Sequence, residues 1–369
     1  MDEFFGIVLA SLFPLLVLSF FRKSDFYQVT KDNLILRSLL GGIFACPVAS
    51  LVNLFLDNVW AIKSEIILAP LLEEILKGLV LLYLIQLSKI TFSVDGALYG
   101  LATGVGFAIA ENIGFVLFDP DFALEVALQR IGSANLVHAS SSAILGIVLG
   151  VSYLRRTRLR SMFLVTGLVL AIGLHMFYNY LVHQGKASLL GAFGIGILGA
   201  MFVYFVMQRG KRQAQDWIRQ QLGMRDGVTS GEVALVNRLP STDDLLQPVF
   251  ERFGFEKTRQ VEKLLYLQAR LGIKRKFLDS IPKNDPLHAA LEIDLREMQS
   301  EMLAAERRIG TYTMLFIRGL YTDEMVSVWE RMQAKIRERS ALNGGQKGGG
   351  LWSSLEERLK APPDVEKHR

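Results

Sequence analysis

The chain has 369 residues, 51% of them apolar, with 41 Lys and Arg against 36 Asp and Glu. Residues 1–207 hold 13 basic and 13 acidic side chains, so the formal excess of +5 lies wholly in residues 208–369. That mild excess suits an anionic membrane leaflet and is too weak to argue for nucleic acid. The single cysteine, Cys46, excludes disulfides and thiolate metal clusters.

Seven apolar runs are long enough to span a bilayer: about 4–21, 34–56, 65–85, 94–118, 133–154, 161–182 and 187–207. The first is not a signal peptide, because Asp2 and Glu3 lead it and Arg22-Lys23 follow it in place of a small-residue cleavage site. With the N-terminus outside, twelve basic residues between Arg22 and Arg212 fall on the inner side, and only Lys63, Arg130 and Lys186 fall outside. The positive-inside rule therefore predicts a cytoplasmic C-terminal region. Gly191, Gly194, Gly196 and Gly199 thin the last span and suggest a packing face. The expected fold is all-α: a polytopic bundle of about seven transmembrane helices (1–207), a mainly helical cytoplasmic region (208–339) and a Gly-rich linker with a disordered tail (340–369). Within the second part, 256–278, 287–309 and Thr322 to Arg339 read as amphipathic helices, and Met314-Leu315-Phe316-Ile317 is apolar but too short to span.

The spans carry unusual polar residues. A charge at the bilayer centre costs roughly 2.5–3.5 kcal/mol on insertion scales, so such groups mark function by default. Span three holds Glu73-Glu74-x-x-Lys77, where one lysine can reach either carboxylate at i,i+4 or i,i+3. The adjacent glutamates point about 100° apart, so one can pair with Lys77 while the other faces a cavity and accepts a proton from water. Span four holds Phe107, Glu111 and Asn112 behind Gly96, Gly100 and Gly104, small-residue steps that permit close helix approach. Glu111 can accept a proton, orient a histidine or ligate a cation, and Phe107 reads as wall. His138 and Ser142 lie one turn apart on span five, and His175 and Asn179 likewise on span six. Histidine trades protons near neutral pH, and an Asn amide can donate to an oxyanion. At ~1.5 Å of rise per residue, Glu73, Glu74, Glu111, His138 and His175 lie ~8–14 Å below the outer ends of their spans, in one layer. A shared depth argues for one site. His183, His288 and His368 receive no role.

Glu73-Glu74-x-x-Lys77, Phe107-x-x-x-Glu111-Asn112, His138-x-x-x-Ser142 and His175-x-x-x-Asn179, in this order on successive spans, resemble the PrsW family of intramembrane proteases. More distantly they are similar to the CAAX prenyl endopeptidases and bacteriocin-processing relatives. The likeness covers about 65–182 by motif and 1–207 by layout. It implies peptide hydrolysis inside the membrane, with Glu73 activating water, Glu74 paired to Lys77, and His175 with Asn179 holding the oxyanion. Glu111-Asn112 stands where the wider relatives have a histidine, leaving His138 or Glu111 as the partner that orients the water. Lys77, Phe107, Asn112 and Ser142 are expected to support the site. The resemblance also implies a membrane-anchored protein substrate, such as an anti-sigma factor, cut on the outer side of a bacterial cytoplasmic membrane.

Zinc is the alternative to a bare glutamate, with Glu74, Glu111, His138 and His175 as its ligands. No His-Glu-x-x-His helix is present, so the sequence favours no cofactor. A proton- or ion-coupled transporter is the competing function, since the same Glu and His could relay protons; it predicts helices broken near the midplane.

Overall fold

The computed structural model describes residues 2–60, 65–88, 93–155, 160–185, 189–223, 226–239 and 244–320. Twelve α-helices occur among them, and no strand. The first eight are α1 (Asp2–Arg22), α2 (Asp32–Trp60), α3 (Leu68–Ser88), α4 (Ser93–Phe118), α5 (Ala123–Ile131), α6 (Ala134–Arg155), α7 (Arg160–His183) and α8 (Leu189–Gln221). The remaining four are α9 (Ser230–Arg238), α10 (Gln247–Asp279), α11 (Pro286–Ile309) and α12 (Thr311–Gly319). The chain divides into two compact units, Met1–Asp216 with Lys276–Ala289, and Trp217–Arg275 with Ala290–Arg369, of which the described residues reach 320. The expected helix from Thr322 to Arg339 and the linker and tail after it lie outside the described residues.

Six of these helices, α1, α2, α4, α6, α7 and α8, are long and apolar enough to cross a membrane. The seventh expected span is α3, a 21-residue helix of crossing length whose Glu73, Glu74 and Lys77 set it apart in composition. The short α5 was not expected. It lies between α4 and α6, opens after a 3-10 turn at Pro120–Phe122, and buries only Ala123 and Ala127.

Burial in the first unit follows the glycines. On α4, a Cβ at Gly96, Gly100 or Gly104 would stand 2.1, 2.2 and 2.1 Å from the carbonyl oxygens of Gly146, Ser142 and His138. Backbone therefore lies on backbone along the α4–α6 seam, which the small-residue spacing predicts. The opposite side of α4 meets α2 in the same way, with Gly42 against the Thr103 carbonyl and Gly106 against the Leu39 carbonyl. Wedged on two sides, α4 is buried from Ser93 to Ile109, while α1, α2 and α7 turn Phe20, Phe44, Leu51 and Phe177 outward. Of the α8 glycines, Gly196 and Gly199 pack on Leu136 and Ser140 of α6, and nothing opposes Gly194.

In the second unit, the helix expected over 256–278 is continuous with an earlier segment in α10. A break at Gly254, with φ 76°, separates the two. Only glycine takes that backbone cheaply. Leu264, Leu265, Leu271, Leu291, Leu295 and Met302 of α10 and α11 are buried, and so are Met314 and Ile317 of the short apolar run, with Thr313 beside them in α12.

Candidate active site

Four continuous helices bring the polar residues together, four to eight residues in from their ends on one side of the bundle. Glu73 lies on the second turn of α3, Glu111 two turns before the end of α4, His138 on the second turn of α6, and His175 two turns before the end of α7. None of these helices breaks at the cluster, in contrast to what a transporter core would show.

Glu74 is the most tightly held. Its Oε1 accepts from Lys77 Nζ at 2.6 Å, Ser141 Oγ at 3.0 Å and His175 Nδ1 at 3.0 Å. Both side chains of the Glu74–Lys77 pair are fully shielded. Such a buried pair persists only because the carboxylate and ammonium satisfy each other and further partners. Lys77 Nζ also donates to His138 Nδ1 at 3.1 Å and sits 4.3 Å above the Phe107 ring. Phe107 is buried against Ala45, Cys46 and Ala49, so it is a wall with a cation on its face.

His138 is engaged at both ends. With Nδ1 accepting from an ammonium, its proton resides on Nε2, which donates to Glu111 Oε2 at 2.8 Å. Glu111 Oε2 also pairs with Arg130 Nη2 from α5. Arg130 Nε donates to Asn112 Oδ1 at 2.5 Å, and the Asn112 amide donates to Asn135 Oδ1 at 2.5 Å.

Glu73 differs from all of these. No described residue hydrogen-bonds its buried Oε2, and its side chain is 10% exposed against 0% for Glu74. His175 Nε2 lies 3.8 Å from that oxygen. Since His175 donates through Nδ1 to Glu74, its Nε2 is a lone pair. At that distance the two groups make no direct hydrogen bond, and one water or cation could bridge them. Lys77 balances Glu74 and Arg130 balances Glu111, so Glu73 is the carboxylate with no cation of its own.

The sequence reading and the structure part company at three places. Asn179 is not with the cluster: its amide donates to the Glu65 backbone carbonyl at 2.9 Å, beside an ion pair between His183 and Glu65. Ser142 Oγ is buried without a hydrogen-bond partner, and the neighbouring Ser141 reaches Glu74 instead. Arg130 was counted only as an outer charge. Its one sequence signal was its rarity, a basic residue on the charge-poor side.

Glu73, His138 and His175 offer donor atoms that all lie within 4.8 Å of one another. A carboxylate with two imidazoles is a donor set that zinc accepts. Each imidazole also has a carboxylate on its far nitrogen, Glu74 for His175 and Glu111 for His138, as ligand histidines usually do. The residues thus fit a divalent cation, with Lys77 the group that it would displace from His138. Glu73 takes the place in this set that the sequence reading gave to Glu74 and Glu111.

Residues 30–212 match the family described as PrsW family intramembrane metalloprotease. "Protease PrsW" of Shouchella clausii strain KSM-K16 is 30% identical over 208 residues, 55% of this chain and 91% of that protein. "Protease PrsW" of Bacillus subtilis strain 168 is 27% identical over 184 residues, 48% of this chain and 83% of that protein. The protein of the same name from Geobacillus kaustophilus strain HTA426 is 26% identical, over 48% of this chain and 80% of its own length. No solved structure matches.

Proposed function

The chain belongs to the PrsW family of intramembrane proteases, and we propose that it hydrolyses a peptide bond of a membrane-anchored protein with Glu73 as the base. The observation that carries this reading is the contrast between adjacent carboxylates: Glu74 holds three donors, while Glu73 holds none and faces a lone pair on His175. A water between them donates one hydrogen to Glu73 and the other to His175 Nε2. Glu73 takes its proton as the water oxygen bonds to the scissile carbonyl carbon. The proton then passes to the amide nitrogen as the C–N bond breaks, leaving a carboxyl and an amine. Glu74, His138 and Glu111 hold the imidazoles in register. Lys77, the buried positive charge bonded to Glu74 and His138, would offset charge on the developing oxyanion in place of Asn179, whose amide donates to Glu65.

The family description and the Glu73–His138–His175 grouping favour a second reading, in which these three residues hold a divalent cation. Such an ion supplies a Lewis acid for the carbonyl and a more acidic water. Both readings need Glu73 and His175.

The charge count supports an orientation with the α5 end of the bundle outside the cell and the C-terminal region cytoplasmic. The cluster then lies ~6–12 Å in from the outer ends of its helices. That depth supports an outer-side first cut in regulated proteolysis, with an anti-sigma factor as one class of substrate.

Co-expression with candidate single-span proteins tests the activity. Product should appear with wild type and fall about 10²–10⁴-fold in Glu73→Gln at equal protein level. Product unchanged in Glu73→Gln and in His175→Ala sinks the reading. Chelation of the purified chain, followed by zinc repletion, separates the two mechanisms: activity lost and restored selects the cation, and activity retained selects the bare glutamate.

A further inference from the structure

We propose that Arg130 is a positioning residue of this site, acting through Glu111 on His138; the proposal rests on the protease reading above. Arg130 comes from the last turn of α5, outside the helices that carry the motifs. Its guanidinium is half-buried and forked: Nη2 pairs with Glu111 Oε2, and Nε donates to Asn112 Oδ1 at 2.5 Å. The oxygen that Arg130 holds is the one that accepts from His138 Nε2 at 2.8 Å. One carboxylate oxygen is thereby shared between the guanidinium and the imidazole, so the arginine sets where the histidine proton points.

From there the order is continuous. His138 Nδ1 accepts from Lys77 Nζ, Lys77 donates to Glu74, Glu74 accepts from His175, and His175 Nε2 faces Glu73. Neutral imidazoles link the charged groups along this line, and Arg130 stands at its end.

The fork itself is built in. Asn112 presents Oδ1 to Arg130 because its amide is spent on Asn135 Oδ1 and, at 3.4 Å, on the Ala10 carbonyl of α1. The α5 helix is seated by α1, where Gly6 lies so close that a Cβ would come 2.9 Å from the Ala123 carbonyl oxygen. Ala123 and Ala127 close a small apolar cluster with Val116, Ile7 and Leu9. The guanidinium also lies 4.2 Å from the Phe115 ring centre. A residue that only fastened α5 to α4 would not need the same carboxylate oxygen as the imidazole.

The test measures kcat and KM of the full chain in proteoliposomes, on a single-span substrate that the wild type cuts. The variants are Arg130→Gln, Arg130→Lys, Glu111→Gln, the Arg130→Gln/Glu111→Gln double and Glu73→Gln. Loss of an outer partner typically costs about 10–100-fold in activity, so Arg130→Gln should lower kcat about tenfold or more with KM within about twofold. Arg130→Lys should recover part of the loss, since lysine reaches Glu111 but cannot fork to Asn112. The double variant should be no slower than the worse single, because both remove one linkage. Wild-type kcat in Arg130→Gln, or losses that multiply in the double, overturns the proposal. If Arg130→Gln does not fold, wild-type kcat in Arg130→Lys overturns the forked role. Cleavage retained in Glu73→Gln instead overturns the protease reading itself; an inactive Glu73→Gln beside an unaffected Arg130→Gln rejects this proposal alone.

Discussion

Both units of this chain bury carboxylates, and they treat them differently. In the second unit, Asp226 takes two prongs from Arg275 at 2.5 and 2.6 Å and an amide from Gln299 at 2.9 Å. Glu232 takes Arg318 at 3.0 Å and Gln268 at 3.2 Å, and closes a capping box with Thr229 at the start of α9. Each of these two acids has an arginine of its own and neutral donors besides. In the membrane-crossing unit, Glu74 and Glu111 are treated in the same way, by Lys77 and Arg130. Glu73 is the exception. A buried carboxylate paired with a cation is structure; a buried carboxyl group with no cation of its own is an arrangement with work still to do.

Breaking a satisfied pair gives the largest effect on stability. Glu74→Gln leaves Lys77 charged and shielded, and should cost about 3–5 kcal/mol, the usual toll for an unpartnered buried charge. Thermal unfolding of the purified variant checks this, and a stability within 1 kcal/mol of wild type, on the order of experimental scatter, would erase the distinction drawn between Glu74 and Glu73. Next in size is Gly104→Ala, whose Cβ would stand 2.1 Å from the His138 carbonyl oxygen. The two helices must part, at a cost of about 1–3 kcal/mol. Cleavage should fall with the melting temperature, because the same shift moves His138.

Acid sharpens the comparison from the other unit. Burial works against the charge on Asp226, but hydrogen bonds from Arg275 and Gln299 outweigh it and hold the carboxyl below its ordinary value of 3.8. The folded form therefore binds fewer protons than the unfolded one, and the stability so gained is complete above the unfolded pKa and lost as pH falls through the folded one. Hydrogen-exchange protection of α10 and α11 should decline below about pH 4, and Asp226→Asn should remove that decline while lowering protection at neutral pH. The smallest effect is expected for Asn179→Ala. A side chain committed to the Glu65 carbonyl should change kcat less than about threefold; a hundredfold loss would return Asn179 to the reaction.

Much of this was legible in the sequence, for definable reasons. Span lengths follow from hydropathy, and the layer of polar groups follows from counting residues inward at a constant rise. The glycine steps on α4 announced a close seam because nothing but a neighbouring backbone exploits missing side chains so regularly. Depth along a helix is a sequence property, whereas rotation about it is settled by packing. For that reason the spacing allowed Lys77 to pair with either glutamate, and contacts with Ser141 and His175 distinguish Glu74. Rotation likewise separates Ser141 from Ser142 and turns Asn179 toward Glu65. Arg130 was hidden because α5 is nine residues long, too short for hydropathy to register.

The seam between α4 and α6 has a mechanical meaning. Where carbonyl oxygens already touch the opposing main chain at Gly96, Gly100 and Gly104, the two rods have no slack and behave as one beam carrying Glu111 and His138. Across from it, α3 meets its neighbours through side chains: Gly78 faces only Leu145 and Leu168 methyls, and Gly167 of α7 faces Val148 and Leu145. Side chains slide and repack at smaller cost than main chain wedged on main chain, so α3 is freer to shift than α4 or α6. A shift of α3 against that beam would carry Glu73 and Glu74 with it and break the Lys77–His138 and Ser141–Glu74 hydrogen bonds.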